Sequence, residues 1–338
     1  MLRVILVNLV MLLAIFGIAE GALAYLLGRT EPTGIKIVDK LVGKVYWKSV
    51  NYIQFLPDCA EYDSELFYRL KPGECTFENR VFSTQVTVNS AGLRDDEASL
   101  EAPQIMVIGD SHAMGWGVED DETFAHLVEE ETGIRTLNAA ISSYATAREV
   151  TMAKRMDHSA VDVLVVQWSH NDDRENRAYL EAGNTLETSS ESDYAAAVAT
   201  AEAEASYYPF KHLINTGVLL IEQFRPKQRT GDPSNTEIDQ DRFLRILTDL
   251  DLGDRRPALI VMELSNYGEY TVFNRGIDAS PYLEGLSERY SSVHVFNTDE
   301  LLDAGDYLGG DGHTNQSGHR KIADAIIATL PEAGIAAN

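Results

Sequence analysis

The chain has 338 residues, of which 44% are hydrophobic and 24% are charged. This composition is sufficient for one large globular domain with smaller appendages. The 28 lysines and arginines stand against 53 aspartates and glutamates, so the formal net charge is −25. Because nucleic-acid binding needs a basic face, we expect no nucleic-acid partner.

The first segment, residues 1–28, is expected to be an N-terminal transmembrane anchor. Residues 4–27 are nearly all apolar, interrupted by Asn8, Gly17, Glu20 and Gly21. At about 1.5 Å per residue, such a helix is long enough to cross a hydrocarbon core of about 30 Å. A signal peptide is the alternative, since Ala22-Leu23-Ala24 has small residues at cleavage spacing.

The second segment, residues 29–103, lacks regular helical periodicity and is expected to be a small β-rich region. Residues 81–88 alternate between apolar and polar side chains, as a half-buried strand does. The chain's two cysteines, Cys59 and Cys75, lie close together in this segment. In an exported protein they predict a structural disulfide, which would stabilise the fold by about 3 kcal/mol.

From residue 104 to residue 334 the pattern alternates between strands and helices and predicts a doubly wound parallel sheet. The predicted strands are residues 105–108, 136–141, 161–168, 257–264 and 293–296. The predicted helices between and after them are residues 122–131, 147–156 and 317–330. An insertion at about 184–240 interrupts the alternation, with an exposed helix over 193–205 and a polar loop over 228–236.

The polar residues that could carry chemistry follow the predicted strands. Ser111 stands in Gly109-Asp110-Ser111, directly after the buried run 105–108. Acyl transfer by a serine needs a base and oxyanion donors as well as the nucleophile. In Asp311-Gly312-His313, His313 is a candidate base and Asp311 can orient its imidazole.

These blocks resemble those of the SGNH (GDSL-like) hydrolases. Gly109-Asp110-Ser111 is similar to the first block, Asn171-Asp172 to the third, and Asp311-Gly312-His313 with Gly318-His319 to the last. The resemblance covers residues 105–330, and Pro72-Gly73 and Asn89-Ser90 extend it toward membrane-anchored bacterial members. It implies a three-layer α/β/α flavodoxin-like fold and hydrolysis or transfer of acyl esters without a metal or other cofactor.

The resemblance also implies a role for each site residue. Ser111, His313 and Asp311 would be the catalytic residues, and the backbone N–H groups of Ser111 and Ser143 and the side chain of Asn171 would form the oxyanion hole. Two departures from the family pattern are visible. Ser143 stands where the second block has glycine, and the Asp-x-His spacing is one residue shorter than the commoner form.

We therefore expect an exported, membrane-tethered serine esterase or acyltransferase whose soluble domain lies on the periplasmic side. Its substrate would be an O-acyl group, above all an O-acetyl group, of a cell-envelope glycan or a similar ester. His112 and His170 are candidate substrate-pocket residues.

Two other functions remain open at the level of sequence. The chain could be a degenerate module that serves as a subunit or scaffold for a membrane-protein partner. A metal-dependent phosphoesterase would instead use six potential ligands: Asp110, His112, His170, Asp172, Asp311 and His313.

Overall fold

The structure is a computed structural model that describes residues 1–29, 33–223, 236–253, 255–266 and 280–335. The polar loop expected over 228–236 lies outside the described residues, apart from Thr236 at its end.

The N-terminal part of the chain contains two helices and two β-hairpins. Helices α1 (Leu2–Leu27) and α2 (Lys36–Tyr46) are followed by the antiparallel pairs β1 (Ala60–Asp63) with β2 (Phe67–Leu70) and β3 (Gly73–Asn79) with β4 (Phe82–Val88). A disulfide joins Cys59 to Cys75, with their Cα atoms 5.4 Å apart. The hairpins agree with the β-rich expectation, but the absence of a helix was wrong at α2.

The physical reason for α2 is visible in its sequence. Val38, Leu41, Val42 and Val45 follow the spacing of one face of a helix. Val45 is buried, and the other three are partly buried. This face packs against the body of the domain.

The centre of the molecule is a five-stranded parallel sheet, which confirms the predicted fold class. It consists of β5 (Ile105–Ile108), β6 (Thr136–Asn138), β7 (Val163–Trp168), β8 (Ala258–Glu263) and β9 (Val293–Phe296) in the order β6-β5-β7-β8-β9. In chain order this is the flavodoxin-like arrangement 2-1-3-4-5. The strand order therefore reverses between β5 and β7, the point at which such sheets place their ligand sites.

Helices lie on both faces of the sheet and beyond it. In chain order the helices after β5 are α3 (Ser111–Met114), α4 (Phe124–Thr132), α5 (Thr146–Ala153), α6 (Asp173–Glu181), α7 (Glu191–Ala205), α8 (Lys211–Gln223), α9 (Thr236–Thr248), α10 (Leu283–Arg289), α11 (Thr298–Leu301) and α12 (Gln316–Thr329). Helix α7 packs against the hairpin of β1 and β2, and α8 packs against α1 and α2. Alternate residues of β5 enter different cores: Ile105 packs with residues of α4 and α12, and Met106 with residues of α5, α9 and α10. The three-layer arrangement follows from this alternation.

Most predicted elements in this domain end within a few residues of the observed ones. The strand expected over 136–141 is shorter, because the chain leaves regular pairing after Asn138. The insertion contains the expected exposed helix as α7, and it also contains α8, which the sequence analysis did not predict.

Candidate active site

Ser111 lies at the carboxyl edge of the sheet, directly beyond β5. The residue at position 109 must be small, because a Cβ atom on Gly109 would lie 2.6 Å from the side-chain oxygen of Gln167 and 2.7 Å from the Cβ atom of Ala113. The Asp110 carboxylate accepts a hydrogen bond of 2.9 Å from the backbone N–H of His112 and caps α3. This turn directs the chain from the buried strand into α3 with Ser111 at its first position.

His313 reaches the same edge from the loop that precedes α12. The backbone N–H of Leu308 donates to the carbonyl oxygen of His313 at 2.7 Å, and Tyr307 forms a bridge with Thr314. Gly312 has a φ of +96°, a left-handed conformation that glycine adopts without strain. The loop is thereby closed on itself and holds the imidazole over Ser111.

The three candidate catalytic residues form one hydrogen-bonded row. The Ser111 Oγ atom lies 2.7 Å from His313 Nε2, and His313 Nδ1 lies 2.6 Å from Asp311 Oδ1. Ser111 is half-buried, whereas Asp311 and His313 are buried. A serine with a histidine at this distance, and a carboxylate on the other ring nitrogen, has the arrangement that activates a serine nucleophile.

Asp311 is held at its second oxygen by two residues that the sequence analysis did not identify. The Tyr46 hydroxyl donates to Asp311 Oδ2 at 2.5 Å, and Trp116 Nε1 donates to the same atom at 3.1 Å. Burial alone would raise the pKa of Asp311, but the neighbouring His313 and the hydrogen bonds from His313, Tyr46 and Trp116 lower it below its usual range. Asp311 is therefore a carboxylate at neutral pH.

No sequence signal could have found Tyr46, because 265 positions separate it from Asp311. Aromatic rings surround the imidazole as well. The Trp116 ring stacks on His313 with a centroid distance of 4.7 Å, and the half-buried Trp47 ring lies 5.8 Å from it. Aromatic rings on two sides limit the orientations that the imidazole can adopt.

Ser143, the residue in the place of the family's second-block glycine, has a left-handed backbone with a φ of +61°. This conformation explains why glycine suits the position, since a side chain costs roughly 1–2 kcal/mol there. The Ser143 side chain accepts a hydrogen bond of 2.9 Å from Gln54 Nε2. Within the described part of the chain, the backbone N–H of Ser143 has no hydrogen-bond partner, so it is available to a ligand.

Asn171 follows β7 on the other side of the point where the strand order reverses. Its side chain is exposed and lies close enough to Asp110, the neighbour of Ser111, to counter part of the rise in pKa that burial causes at that carboxyl group. Asn171 and Ser111 therefore lie on the same edge of the sheet.

The two candidate pocket histidines have different surroundings. His112 is buried, and its ring centroid lies 4.4 Å from that of His313. Burial, with His313 nearby, lowers the pKa of His112 well below its usual range and keeps the ring neutral. His170 is exposed, and its Nδ1 atom lies 3.3 Å from the Ser265 hydroxyl.

The six side chains of the metal-dependent alternative do not form a common ligand cluster. Among the residues that the structure describes, no group of three or more histidine, cysteine, aspartate or glutamate side chains is arranged to hold a metal ion. Asp172 lies instead in a buried acidic region with Glu149, where burial raises the pKa of both carboxyl groups well above the usual range. The geometry gives no specific support to a metal-dependent phosphoesterase.

No protein-family model matches the chain, and no curated protein matches it either. Several solved structures are similar to it. A protein attributed to the lipolytic G-D-S-L family, from Desulfitobacterium hafniense DCB-2, is 10% identical with a TM-score of 0.35, and the match covers 67% of this chain and 98% of that one.

Two carbohydrate-active enzymes are also among the similar structures. A carbohydrate esterase family 2 enzyme from Corynascus thermopiles is 15% identical with a TM-score of 0.40, over 68% of this chain and 67% of that one. An acetyl xylan esterase from Butyrivibrio proteoclasticus is 12% identical with a TM-score of 0.36, over 68% of this chain and 64% of that one. At such identities and TM-scores the likenesses carry no functional argument, so the function must be argued from the site.

Proposed function

We propose that this protein is an SGNH-type serine ester hydrolase or O-acyltransferase that works through an acyl-enzyme on Ser111. The observation that carries the proposal is the continuous hydrogen-bonded row from Ser111 through His313 to Asp311. Two further donors on Asp311 keep this row ordered. A serine that served only as a turn residue would need neither the base nor the buried carboxylate.

In the acylation step the Ser111 Oγ atom attacks the carbonyl carbon of the ester, and its proton passes to His313 Nε2. Asp311 stabilises the imidazolium that forms, without itself taking up the proton. When the tetrahedral intermediate collapses, the bond to the alkoxy oxygen breaks and His313 returns the proton to the leaving alcohol. Water or an acceptor hydroxyl group then repeats the sequence on the acyl-enzyme, with His313 again acting as base.

The oxyanion that forms in each step needs donors placed where its charge develops. The proposed donors are the backbone N–H groups of Ser111 and Ser143 and the side-chain amide of Asn171. The free N–H of Ser143 supports this role, as does the position of Asn171 beside Asp110. Each such donor is expected to contribute about 10²–10³-fold to kcat.

The proposed substrate is an O-acyl group, in particular an O-acetyl group, on a cell-envelope glycan. Half-buried Trp47 and Tyr52 lie side by side near His313, with ring centroids 6.3 Å apart, and offer flat apolar faces for a bulky acyl acceptor. The apolar helix α1 supports tethering at a membrane. The disulfide supports an extracytoplasmic location, since such bonds persist in oxidising compartments.

Fluorophosphonate labelling of the full chain in detergent tests the activated serine without knowledge of the substrate. The wild type is expected to be labelled and Ser111→Ala to remain unlabelled. The matched control is Ser159→Ala, because Ser159 is exposed and lies before β7, at the opposite end of that strand from the site. We expect this control to be labelled like the wild type.

A second measurement tests the acyl-enzyme itself. Incubation with p-nitrophenyl acetate followed by intact mass analysis is expected to add one acetyl group to the wild type and none to Ser111→Ala. A folded wild type that neither labels nor acylates would contradict the proposal. That result would instead favour the degenerate module that binds a membrane-protein partner.

A further inference from the structure

The exposed large apolar side chains of the described residues are confined to a small part of the molecule. Outside residues 1–27 they are Ile35, Ile37, Tyr207, Tyr208, Ile214, Val218, Leu220 and Ile221. The first two precede or begin α2, and the other six lie on α8 or just before it. We call residues 207–221 the apolar strip. The rest of the described surface has no exposed side chain of this kind.

The apolar strip lies directly against α1. The Glu20 carboxylate of α1 accepts hydrogen bonds from the backbone N–H groups of His212 and Leu213, at 3.1 and 3.0 Å. These are two of the N–H groups that the first turn of α8 leaves without a helical partner. The Phe16 and Phe210 rings meet edge to face, with their centroids 6.4 Å apart. Glu20 is only 6% exposed, so this contact is a built interface.

The contact divides α1 into two parts. Every side chain from Leu2 to Ile18 is exposed, whereas Glu20 and Leu27 are buried against the domain. At about 1.5 Å per residue the exposed part is about 26 Å long, which is close to the thickness of a bilayer hydrocarbon core. Glu20, and with it the first turn of α8, is therefore level with the membrane surface when α1 spans the bilayer.

The side chains of α8 suit such a position. Ile214, Val218 and Ile221 lie on one face at helical spacing and are exposed, whereas Leu219 points into the protein. Tyr207 and Tyr208 precede the helix, and tyrosine is enriched at the level of lipid headgroups.

The neighbouring helix α2 adds charge complementarity. Its lysines Lys40 and Lys44 are exposed and spaced four residues apart, whereas Lys48, just after the helix, forms an ion pair of 3.4 Å with Glu222 of α8. Helix α2 contacts both α1 and α8. In a chain with a net charge of −25, two lysines beside the exposed apolar surface favour lipid phosphates as the occupant.

We propose that the apolar strip lies in the headgroup region of the bilayer that α1 crosses, with Ile214, Val218 and Ile221 toward the acyl chains. Glu20 clamps α8 to the anchor and so fixes the orientation of the whole domain. The clamp also requires that α1 be retained, because cleavage after Ala24 would remove Glu20 and leave the His212 and Leu213 N–H groups without their acceptor. The inference rests on the proposed membrane anchoring but not on the proposed esterase activity.

A fluorescent probe on single introduced cysteines tests the position of α8. Both native cysteines are joined in the disulfide, so an introduced cysteine is the one free thiol. The full chain is reconstituted in vesicles of phosphatidylcholine and phosphatidylglycerol and labelled at Val218→Cys. The matched control is Ala196→Cys, which lies on an exposed position of α7.

Quenching by spin-labelled lipid and by aqueous iodide gives the two readouts. We expect the probe at Val218→Cys to be quenched about threefold more by the lipid, and about threefold less by iodide, than the probe at Ala196→Cys. Equal iodide quenching at both sites, in protein that floats with the vesicles, would overturn the proposal and indicate water or a protein partner at α8.

Two outcomes would refute this proposal without bearing on the proposed esterase activity. Failure of the protein to float with the vesicles, or an intact mass without residues 1–24, would refute the retained anchor and the interface position together. Neither result depends on labelling of Ser111, so loss of the esterase proposal would leave this one standing.

Discussion

The α/β core and the N-terminal segment of residues 36–88 contribute to the same site in different ways. The core supplies Ser111, His313 and Asp311, the three groups that the proposed reaction uses directly. The N-terminal segment supplies Tyr46 and Gln54, which hydrogen-bond to Asp311 and Ser143. The core thus provides the groups of the proposed chemistry, and the N-terminal segment contacts Asp311 and Ser143, at two ends of the candidate site.

The candidate site therefore depends on the N-terminal segment as well as on the core. Tyr46 ends α2, the helix that follows α1, and Gln54 lies only a few residues further along. A truncated core would therefore retain Ser111 and His313 but lose the contacts that Tyr46 makes with Asp311 and Gln54 makes with Ser143. Substitutions at four positions test this comparison, and the expected effects decrease from Asp311 through His319 and Tyr46 to Ser143.

The largest effect on activity is expected at Asp311, the carboxylate of the core that contacts His313. Asp311→Asn should lower kcat/KM for p-nitrophenyl acetate by about 10⁴-fold, because an amide neither stabilises the imidazolium nor keeps the productive tautomer. The control is Asp303→Asn, an exposed carboxylate in the same loop region, which should have little effect. If kcat/KM fell by less than about tenfold in Asp311→Asn, the Asp311 carboxylate would not support His313 as proposed.

The second-largest effect is expected on stability, at His319, a buried histidine of the core that the proposed reaction does not use. His319 Nδ1 accepts a hydrogen bond of 3.1 Å from the backbone N–H of Phe124. Burial, with Arg94 and His313 nearby, lowers the pKa of His319 to about 3. The unfolded chain binds a proton near the ordinary histidine pKa of about 6.5, so the folded state loses stability as the pH falls below that value.

Between about pH 7.5 and pH 5 this residue should lower the free energy of unfolding by about 2 kcal/mol. His319→Asn keeps a hydrogen-bond acceptor near the position of Nδ1 and removes the titrating ring. The free energy of unfolding of this variant should therefore fall less than that of the wild type over the same pH interval. Urea unfolding at the two pH values, for wild type and variant, gives the comparison. Equal losses in the two proteins would show that His319 is not the group responsible.

A smaller effect on activity is expected at the N-terminal segment. Tyr46→Phe keeps the ring and removes one donor to the Asp311 carboxylate, a bond of a kind that contributes about 1.5–3 kcal/mol. Because the other contacts of Asp311 remain, we expect kcat to fall about tenfold with little change in KM.

Tyr52→Phe is the matched control for Tyr46→Phe. Tyr52 packs against Trp47 and Trp116, but its hydroxyl makes no hydrogen bond to Asp311. If Tyr52→Phe lowered kcat as much as Tyr46→Phe, the effect would come from packing of the aromatic cluster and not from the hydrogen bond.

The smallest effect is expected at Ser143. Both Ser143→Gly and Ser143→Ala remove the hydroxyl that contacts Gln54, so their difference isolates the backbone. Because the φ of Ser143 is +61°, Ser143→Gly should be more stable than Ser143→Ala by about 1 kcal/mol in urea unfolding. The reverse order would indicate that the left-handed conformation carries no strain.

The α/β core could be predicted from the sequence, because the signals that specify its strands and helices are local. The run 105–108 matches the fully buried strand β5 residue for residue, since a buried strand is a short apolar run bounded by turn residues. The run 293–296 matches the half-buried strand β9 in the same way. The blocks around Ser111 and His313 each follow such an element or precede a helix. Because they follow parallel strands, these blocks were expected at the same edge of the sheet. The hydrogen bonds between Ser111, His313 and Asp311 are visible only in the folded structure.

The residues outside the core that contact the candidate site could be identified only from the folded structure. Tyr46 meets Asp311 across 265 positions and Glu20 meets His212 across 192, and neither contact leaves a periodic pattern in the chain. The same holds for the left-handed backbone of Ser143, which the Gln54 and Tyr68 side chains support through Ser143 and Ser142. Local propensity cannot encode these contacts, because each depends on how separately folded elements dock on one another.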